Sequence, residues 1–336
     1  MTIFASSSLL LLVLGVASGF SPGTSRSSPV TYDSSTSLNG LSRRDVLDVS
    51  AASLATFLLS QGAVPVSAAE TPKTILMTGS NSGIGFEAAK KLAAEGHTLI
   101  LPCRSMDKAV ATAKAIGGLN VIPAECDLAD LSSIEKFGKE LPSLMGSGVK
   151  LDIACLNAGL ARAVGVSDVA RTKDGFEKTV GTNHLGHFYL NSLLVPQLQS
   201  NGRIVVTASG VHDPDSPGGA QGKTATLGNL AGFDRDGKNF EMVDGDPFNA
   251  DKAYKDSKVR FMLHITCRSN PCACHSHQFI CYMQLCNVFF LRELQRRLEA
   301  SPSTKDISVN AFNPGLIVST GLFRDQPKIF TKVSDQ

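Results

Sequence analysis

Thr74-Ile75-Leu76-Met77-Thr78-Gly79-Ser80-Asn81-Ser82-Gly83-Ile84-Gly85 decides the fold. Residues 73–78 form an apolar run short enough for one buried strand. Gly79, Gly83 and Gly85 then make a turn, and Phe86-Glu87-Ala88-Ala89-Lys90-Lys91-Leu92 continues with helical spacing. Glycine permits the tight turn and lets backbone approach a pyrophosphate. The helix that follows offers unpaired N–H groups and a positive dipole end to that anion. Residues 79–85 are therefore the candidate dinucleotide cradle: Gly79, Ser80, Asn81, Ser82, Gly83, Ile84 and Gly85.

Working outward, strands and helices alternate. Residues 97–102 read as a second strand ending in Cys103-Arg104-Ser105. An acidic residue there would bind a ribose 2′-hydroxyl, whereas Arg104 can pair a 2′-phosphate, so NADPH is the expected cofactor. Residues 121–126 form a third strand ending at Asp127, placed for the adenine edge. Leu151–Leu156 is a fourth, followed by Asn157-Ala158-Gly159, small enough for a cofactor to lie against. A fifth strand runs through Gly202-Arg203-Ile204-Val205-Val206-Thr207-Ala208-Ser209, and residues 306–310 make a sixth, followed by Asn313-Pro314-Gly315. Pro314 and Gly315 complete the expected cofactor contacts. This alternation predicts a single α/β domain over residues 70–336, a Rossmann-type doubly wound parallel sheet. A seventh edge strand is expected to be missing, because little chain follows the sixth.

Tyr254-Lys255-Asp256-Ser257-Lys258 carries the chemistry. Tyr254 and Lys258 are four apart and share one helix face. A phenol titrates near pH ~10. A neighbouring ammonium is expected to lower that value and make Tyr254 a usable acid or base. Ser209 is placed to hydrogen-bond a substrate carbonyl or the phenol, with Thr207 as its competitor. Asn183, in the helix before the fifth strand, is placed to hold a water that relays protons to Lys258. His184 and His187 read as packing residues, and no metal site is assigned.

In this order, the motifs resemble the short-chain dehydrogenase/reductase family from Thr74 to about Arg324. The resemblance implies a catalytic tetrad of Asn183, Ser209, Tyr254 and Lys258, with Tyr254 and Lys258 also touching the cofactor. Within the family the chain is similar to the light-dependent protochlorophyllide reductases. That likeness rests on Ala253-Tyr254-Lys255-Asp256-Ser257-Lys258, Thr320-Gly321-Leu322-Phe323-Arg324, Cys103-Arg104, and Ala225-Thr226-Leu227-Gly228-Asn229-Leu230. It also rests on the long gap between Ser209 and Tyr254, whose residues 218–245 read as a mobile lid over substrate. The branch implies hydride delivery from NADPH to a ring double bond after the pigment absorbs light. Leu316 stands where those enzymes carry a functional cysteine, and Ser209-Gly210-Val211-His212 is similar to the retinol-dehydrogenase branch. A dark carbonyl or alcohol oxidoreductase is therefore the first rival, and a non-catalytic or defective gene product the second.

Residues 1–69 read as an address. Residues 9–16 are a short apolar core, and Ala17-Ser18-Gly19 a small-residue cleavage site, so 1–19 is read as a signal. Residues 20–42 are rich in Ser and Thr, like a plastid transit segment. Arg43-Arg44 precedes an apolar run and Val66-Ser67-Ala68, so 43–68 reads as a thylakoid-transfer signal, with a membrane anchor as the rival. The expected location is a plastid, in the thylakoid lumen or at a membrane surface.

Residues 259–284 interrupt the helix that carries Tyr254 and hold four of the chain's eight cysteines: Cys267, Cys272, Cys274 and Cys281. Cys272-Ala273-Cys274 spacing is poor for tetrahedral zinc. Excising 259–284 joins Lys258 to Leu285 and restores one amphipathic helix through Arg297. Valine codons begin GT and a glutamine codon can end AG, so the segment reads as a retained in-frame intron. Charge sets a last bound. With 32 basic and 30 acidic residues the net charge is +2, which shows no nucleic-acid footprint. The expected partners are a lipophilic or tetrapyrrole small molecule and a second copy of the chain.

Overall fold

The structure is a computed structural model and describes residues 71–228, 230–233, 240–258 and 287–315. The readings made for residues 1–69, 259–284 and 316–336 lie outside the described residues.

Among the described residues, six parallel strands form one sheet: β1 (Thr74–Met77), β2 (Thr98–Cys103), β3 (Val121–Glu125), β4 (Leu151–Leu156), β5 (Leu198–Thr207) and β6 (Ser308–Phe312). Their order is β3-β2-β1-β4-β5-β6. The chain thus winds outward from β1 in one direction, then returns to the centre and winds outward in the other. The reversal lies between β1 and β4, where Ile75 pairs with Ile153 and Met77 with Cys155. A crevice opens at such a reversal, outside the carboxyl ends of the strands.

Helices α1 (Gly83–Ala94), α2 (Met106–Ile116) and α3 (Leu131–Met145) alternate with the first four strands. Helix α4 is composite: Lys178–Val180, a π-helical Gly181–Gly186, and His187–Leu194. Helix α5 (Ala250–Asp256) carries the tyrosine, and α6 (Asn287–Glu299) precedes β6.

The sheet is buried on both faces, and side-chain alternation sorts its residues. Leu76, Ile100, Ala154 and Ile204 pack with Phe137 of α3, Leu190 and Leu194 of α4, and Phe290 of α6. Ile75, Met77, Leu99, Ile153 and Val205 pack instead with Ala88, Ala89 and Leu92 of α1. Neighbouring residues of one strand serve opposite cores, which is why these strands read as continuous apolar runs.

A third cluster lies outside the sheet. Leu227, Phe240 and Val243 pack on Val180 of α4, with Phe176 and Leu230 against them. The described parts of 218–245 are therefore docked on the domain with an apolar core of their own.

Candidate active site

The carboxyl ends of the strands bring the sequence-marked residues to one edge. Gly79 follows β1, Arg104 follows β2, Asp127 lies beyond β3, Asn157 follows β4, Ser209 lies beyond β5, and Pro314 and Gly315 lie beyond β6. A Cβ on Gly210 would lie 2.8 Å from Asn313 Nδ2, so the segments after β5 and β6 are neighbours.

Glycine is required in the first turn for two separate reasons. Gly79 has φ +67°. A Cβ there would also sit 2.6 Å from Ala158 Cα, and one on Gly85 would sit 2.3 Å from Gly79 O. Both obstacles are backbone and cannot swing aside. No side chain caps α1: Ser82 is extended at its N-cap but makes no capping hydrogen bond. By contrast, α3 is capped by Asp130, which accepts from Ser132 N and Ser133 N. A close backbone approach and an uncapped helix start suit the pyrophosphate of a dinucleotide. Asn81 and Ser82 are exposed on this turn and Ile84 is half-buried. Ser80 is different: the residue is fully buried and its hydroxyl points inward to Met77 O at 3.2 Å.

Asn157 also turns inward. Its Nδ2 donates to Thr78 O at 3.1 Å and Gly79 O at 3.2 Å, while its Oδ1 accepts from Thr207 Oγ1 at 2.9 Å. The residue expected to let a cofactor lie against it is therefore the brace that holds the glycine turn. The same bond resolves the choice between Thr207 and Ser209, because the Thr207 hydroxyl is spent on Asn157. Ala158 and Gly159 continue along the crevice edge, where Ala158 N donates to Thr78 Oγ1 at 3.0 Å.

A cleft of about 280 Å³ lies at the β2–β3 end, lined by Arg104, Glu125, Asp127, Asp130, Ser132, Ser133 and Lys136. Arg104 is exposed there. Asp127 Oδ1 is engaged by Ala129 N at 3.0 Å. Lys173 and Ser132 hold the Asp130 carboxyl down to about 2. The cleft has room for an adenosine end, with Arg104 and Lys136 as its cations.

At the other end, the tetrad residues converge. The phenol of Tyr254 hydrogen-bonds Ser209, and burial pushes its pKa up despite that bond. This reverses the expected lowering. Lys258 Nζ donates to Thr207 O at 3.1 Å, and burial draws its pKa down to about 8. Desolvation penalises whichever form is charged, so both groups move toward neutrality. Asn183 is fully buried and pairs both ways with the backbone of one residue: Oδ1 accepts from Leu160 N at 2.9 Å and Nδ2 donates to Leu160 O at 2.9 Å. Its Nδ2 also reaches Ser257 Oγ at 3.2 Å, and Ser257 Oγ donates to Tyr254 O at 2.7 Å. A Cβ on Gly159 would lie 3.7 Å from Asn183 Oδ1 and 3.9 Å from Lys258 Nζ, so the three share one floor. The arrangement holds a neutral phenol, a hydroxyl partner and a readily deprotonated amine beside the cradle. It can deliver a proton.

Several functional residues escaped the sequence reading. Lys252 is 2% exposed and bonds Asp244 Oδ2 at 2.7 Å, Asp256 Oδ2 at 2.6 Å and Thr226 O at 2.9 Å. Lys255, equally buried, reaches Asp251 Oδ2 at 2.9 Å and Lys223 O at 3.0 Å, and also bonds Gln221 O. These side chains tie α5 to the docked segment. The i,i+4 pairs Asp251/Lys255 and Lys252/Asp256 were visible signals, but such pairs usually lie on a solvated face. His187, beyond the packing expected of it, makes two hydrogen bonds. His184 does pack, with its ring 6.3 Å from Phe290 in an edge-on contact.

Known proteins similar to this chain are the following. Residues 73–221 match the family model described as short chain dehydrogenase. The chain is 31% identical over 277 residues to a chloroplastic protochlorophyllide reductase of Chlamydomonas reinhardtii, covering 79% of this chain and 60% of that one. It is 32% identical over 283 residues to that of Pisum sativum, covering 80% and 63%. The chain thus spans about 60% of the length of the curated relatives it matches. A solved 3-ketoacyl-(acyl-carrier-protein) reductase from Brucella melitensis superposes with TM-score 0.47 at 19% identity, over 78% of this chain and 82% of that one.

Proposed function

This chain belongs to the short-chain dehydrogenase/reductase family, and on that premise we propose that it is an NADPH-dependent reductase of protochlorophyllide, driven by light in a plastid. One observation carries the reading: a buried, neutral Tyr254 phenol hydrogen-bonded to Ser209 beside a bare glycine cradle. The relatives' names support the substrate and the location.

When bound, NADPH supplies a hydride. The chain's own residues do the rest. Gly79, Gly83 and Gly85 admit the pyrophosphate, and Arg104 pairs the 2′-phosphate. Ser209 orients the substrate edge and the phenol. Tyr254, with its pKa raised by burial, stays protonated at neutral pH and gives its proton to the carbon next to the one that accepts hydride. One hydride and one proton saturate the double bond, and Tyr254 is left as phenolate. Lys258, one helical turn on and drawn down to about 8, is matched to return that proton.

The test is an absorption spectrum of the full chain with NADPH and protochlorophyllide, in darkness and after a flash. The expected result is conversion only after the flash. Conversion in darkness, or none with NADPH bound, would overturn the assignment. Leu316 and Ser209-Gly210-Val211-His212 favour a second reading, a dark carbonyl reductase of lipophilic substrates. NADPH oxidation with an aldehyde or ketone in the dark would select it.

A further inference from the structure

His187 stands between the glycine turn and the tetrad, and its two ring nitrogens face different partners. Nε2 lies 3.0 Å from Thr78 Oγ1, and Nδ1 lies 3.0 Å from Asn183 O. The ring is only 5% exposed.

Proton counting fixes the tautomer. Thr78 Oγ1 already accepts from Asn157 N at 2.9 Å and Ala158 N at 3.0 Å. A hydroxyl has two lone pairs and one proton. With both lone pairs taken, Thr78 must donate. Its candidate acceptors are Cys155 O at 3.4 Å and His187 Nε2 at 3.0 Å, and the shorter is the imidazole. Nε2 therefore accepts, so the ring proton sits on Nδ1 and is donated to Asn183 O.

The helix explains why that carbonyl takes a side chain. Residues Gly181–Gly186 are π-helical, and the His187 amide bonds His184 O. In an α-helix that amide would have gone to Asn183 O. The His187 side chain covers the carbonyl its own backbone leaves. π-Bulges of this kind occur often at functional sites.

We infer that His187 is a positioning residue, which couples the glycine turn through Thr78 to Asn183 and so to the helix of Tyr254. The connection runs from the carboxyl ends of β1 and β4, through the imidazole, to the π-turn. It continues through Asn183 Nδ2 and Ser257 Oγ to the backbone of Tyr254. A charged ring would have no acceptor at Thr78, and it would face Lys258 and His184. Burial and those neighbours hold its pKa down to about 4, so the neutral form persists through the working pH range.

The tautomer test is independent of turnover. In the full chain labelled with ¹⁵N-histidine, long-range ¹H–¹⁵N spectra with and without NADPH should show His187 protonated at Nδ1 and bare at Nε2 between pH 6 and 8. An Nε2–H tautomer, or a ring that titrates in that window, would overturn the inference. The kinetic arm rests on the proposed reductase activity. His187→Phe keeps a planar ring, somewhat larger than imidazole, and loses both bonds. Its kcat should fall roughly tenfold or more, and its NADPH affinity several-fold. His187→Asn can restore the bond to Asn183 O alone and should recover part of kcat but little NADPH affinity. A His187→Phe variant that folds with unchanged kcat and NADPH affinity would overturn the inference. If the wild-type chain binds NADPH but turns nothing over, the function reading fails. The tautomer and NADPH titrations then still decide the role of His187.

Discussion

Two regions flank Tyr254, and opposite means hold them. The glycine turn is fixed by neutral groups: Asn157 Nδ2 on two carbonyls, Thr78 Oγ1 on two amides, and a neutral His187 beyond it. The described parts of residues 216–249 are held by ions. Lys252 lies between Asp244 and Asp256, Lys255 grips three loop carbonyls, and Arg171 Nη1 donates to Phe240 O at 2.9 Å. A turn that must receive a pyrophosphate gains nothing from nearby carboxylates, since like charge repels. A long insertion with a small apolar cluster has little else to hold it. Buried ions supply direction and position where hydrophobic area is short, at a desolvation cost. The difference teaches that the cofactor side should be insensitive to pH at and above neutrality, whereas the other side, where Asp256 titrates at about 7, should not.

The largest expected effect tests the residue between the two regions. Tyr254→Phe should lower kcat by about 10² to 10⁴ while NADPH affinity, read by fluorescence titration, stays within a few-fold. Retained turnover would remove the phenol from the chemistry.

The next effect separates the regions by stability. Lys252→Met leaves Asp244 and Asp256 facing each other without their cation. Urea unfolding should show a loss of about 3 kcal/mol. Protonation of Asp256 softens that loss in mild acid, so the deficit should be larger at pH 8 than at pH 5. An equal deficit at both would mean that the clamp acts only by packing.

A third effect belongs to the cofactor side. Arg104→Ala should weaken NADPH roughly 10- to 100-fold and leave NADH nearly unchanged, the range expected for losing a charge-assisted bond. Equal losses for both would sink the 2′-phosphate assignment.

The smallest effects are slopes of stability against pH. Burial raises the Asp256 carboxyl to about 7, above its ordinary value, with Lys252 only partly offsetting it. A raised carboxyl favours the folded state at low pH, and that contribution is lost as pH rises through about 7. Asp256→Asn should flatten this slope in urea midpoints between pH 5 and 8. His187 has the opposite sign. Its lowered pKa costs stability as pH falls from about 6.5 toward about 4. His187→Asn should remove that acid slope, and if it does not, the buried imidazole is not the group being titrated.

Much of this was legible in the chain. The Leu151–Leu156 strand was read to the residue, and the other five fell within a few residues of their observed bounds. Glycine spacing located the cradle, because φ +67° at Gly79 and the 2.6 Å approach of Ala158 leave few alternatives. Tyr254 and Lys258 were legible from their spacing. Their pKa directions were not. The expected lowering at Tyr254 assumed an ammonium beside the phenol, but Lys258 Nζ is bonded to Thr207 O, and burial dominates both groups. Asn157, Thr78 and His187 were misread or passed over for one reason. Their partners lie 79, 80 and 109 residues away along the chain.

The sequence by itself determined the sheet, the glycine turn and the candidate proton donor, because strand periodicity, glycine stereochemistry and helical i,i+4 spacing act over a few residues. Only the tertiary structure decided which polar groups face inward, where Leu227, Phe240 and Val243 pack, and that Lys252 and Asp256 are buried partners. Those outcomes depend on desolvation and on hydrogen-bond partners brought in from other elements, and no local pattern encodes either.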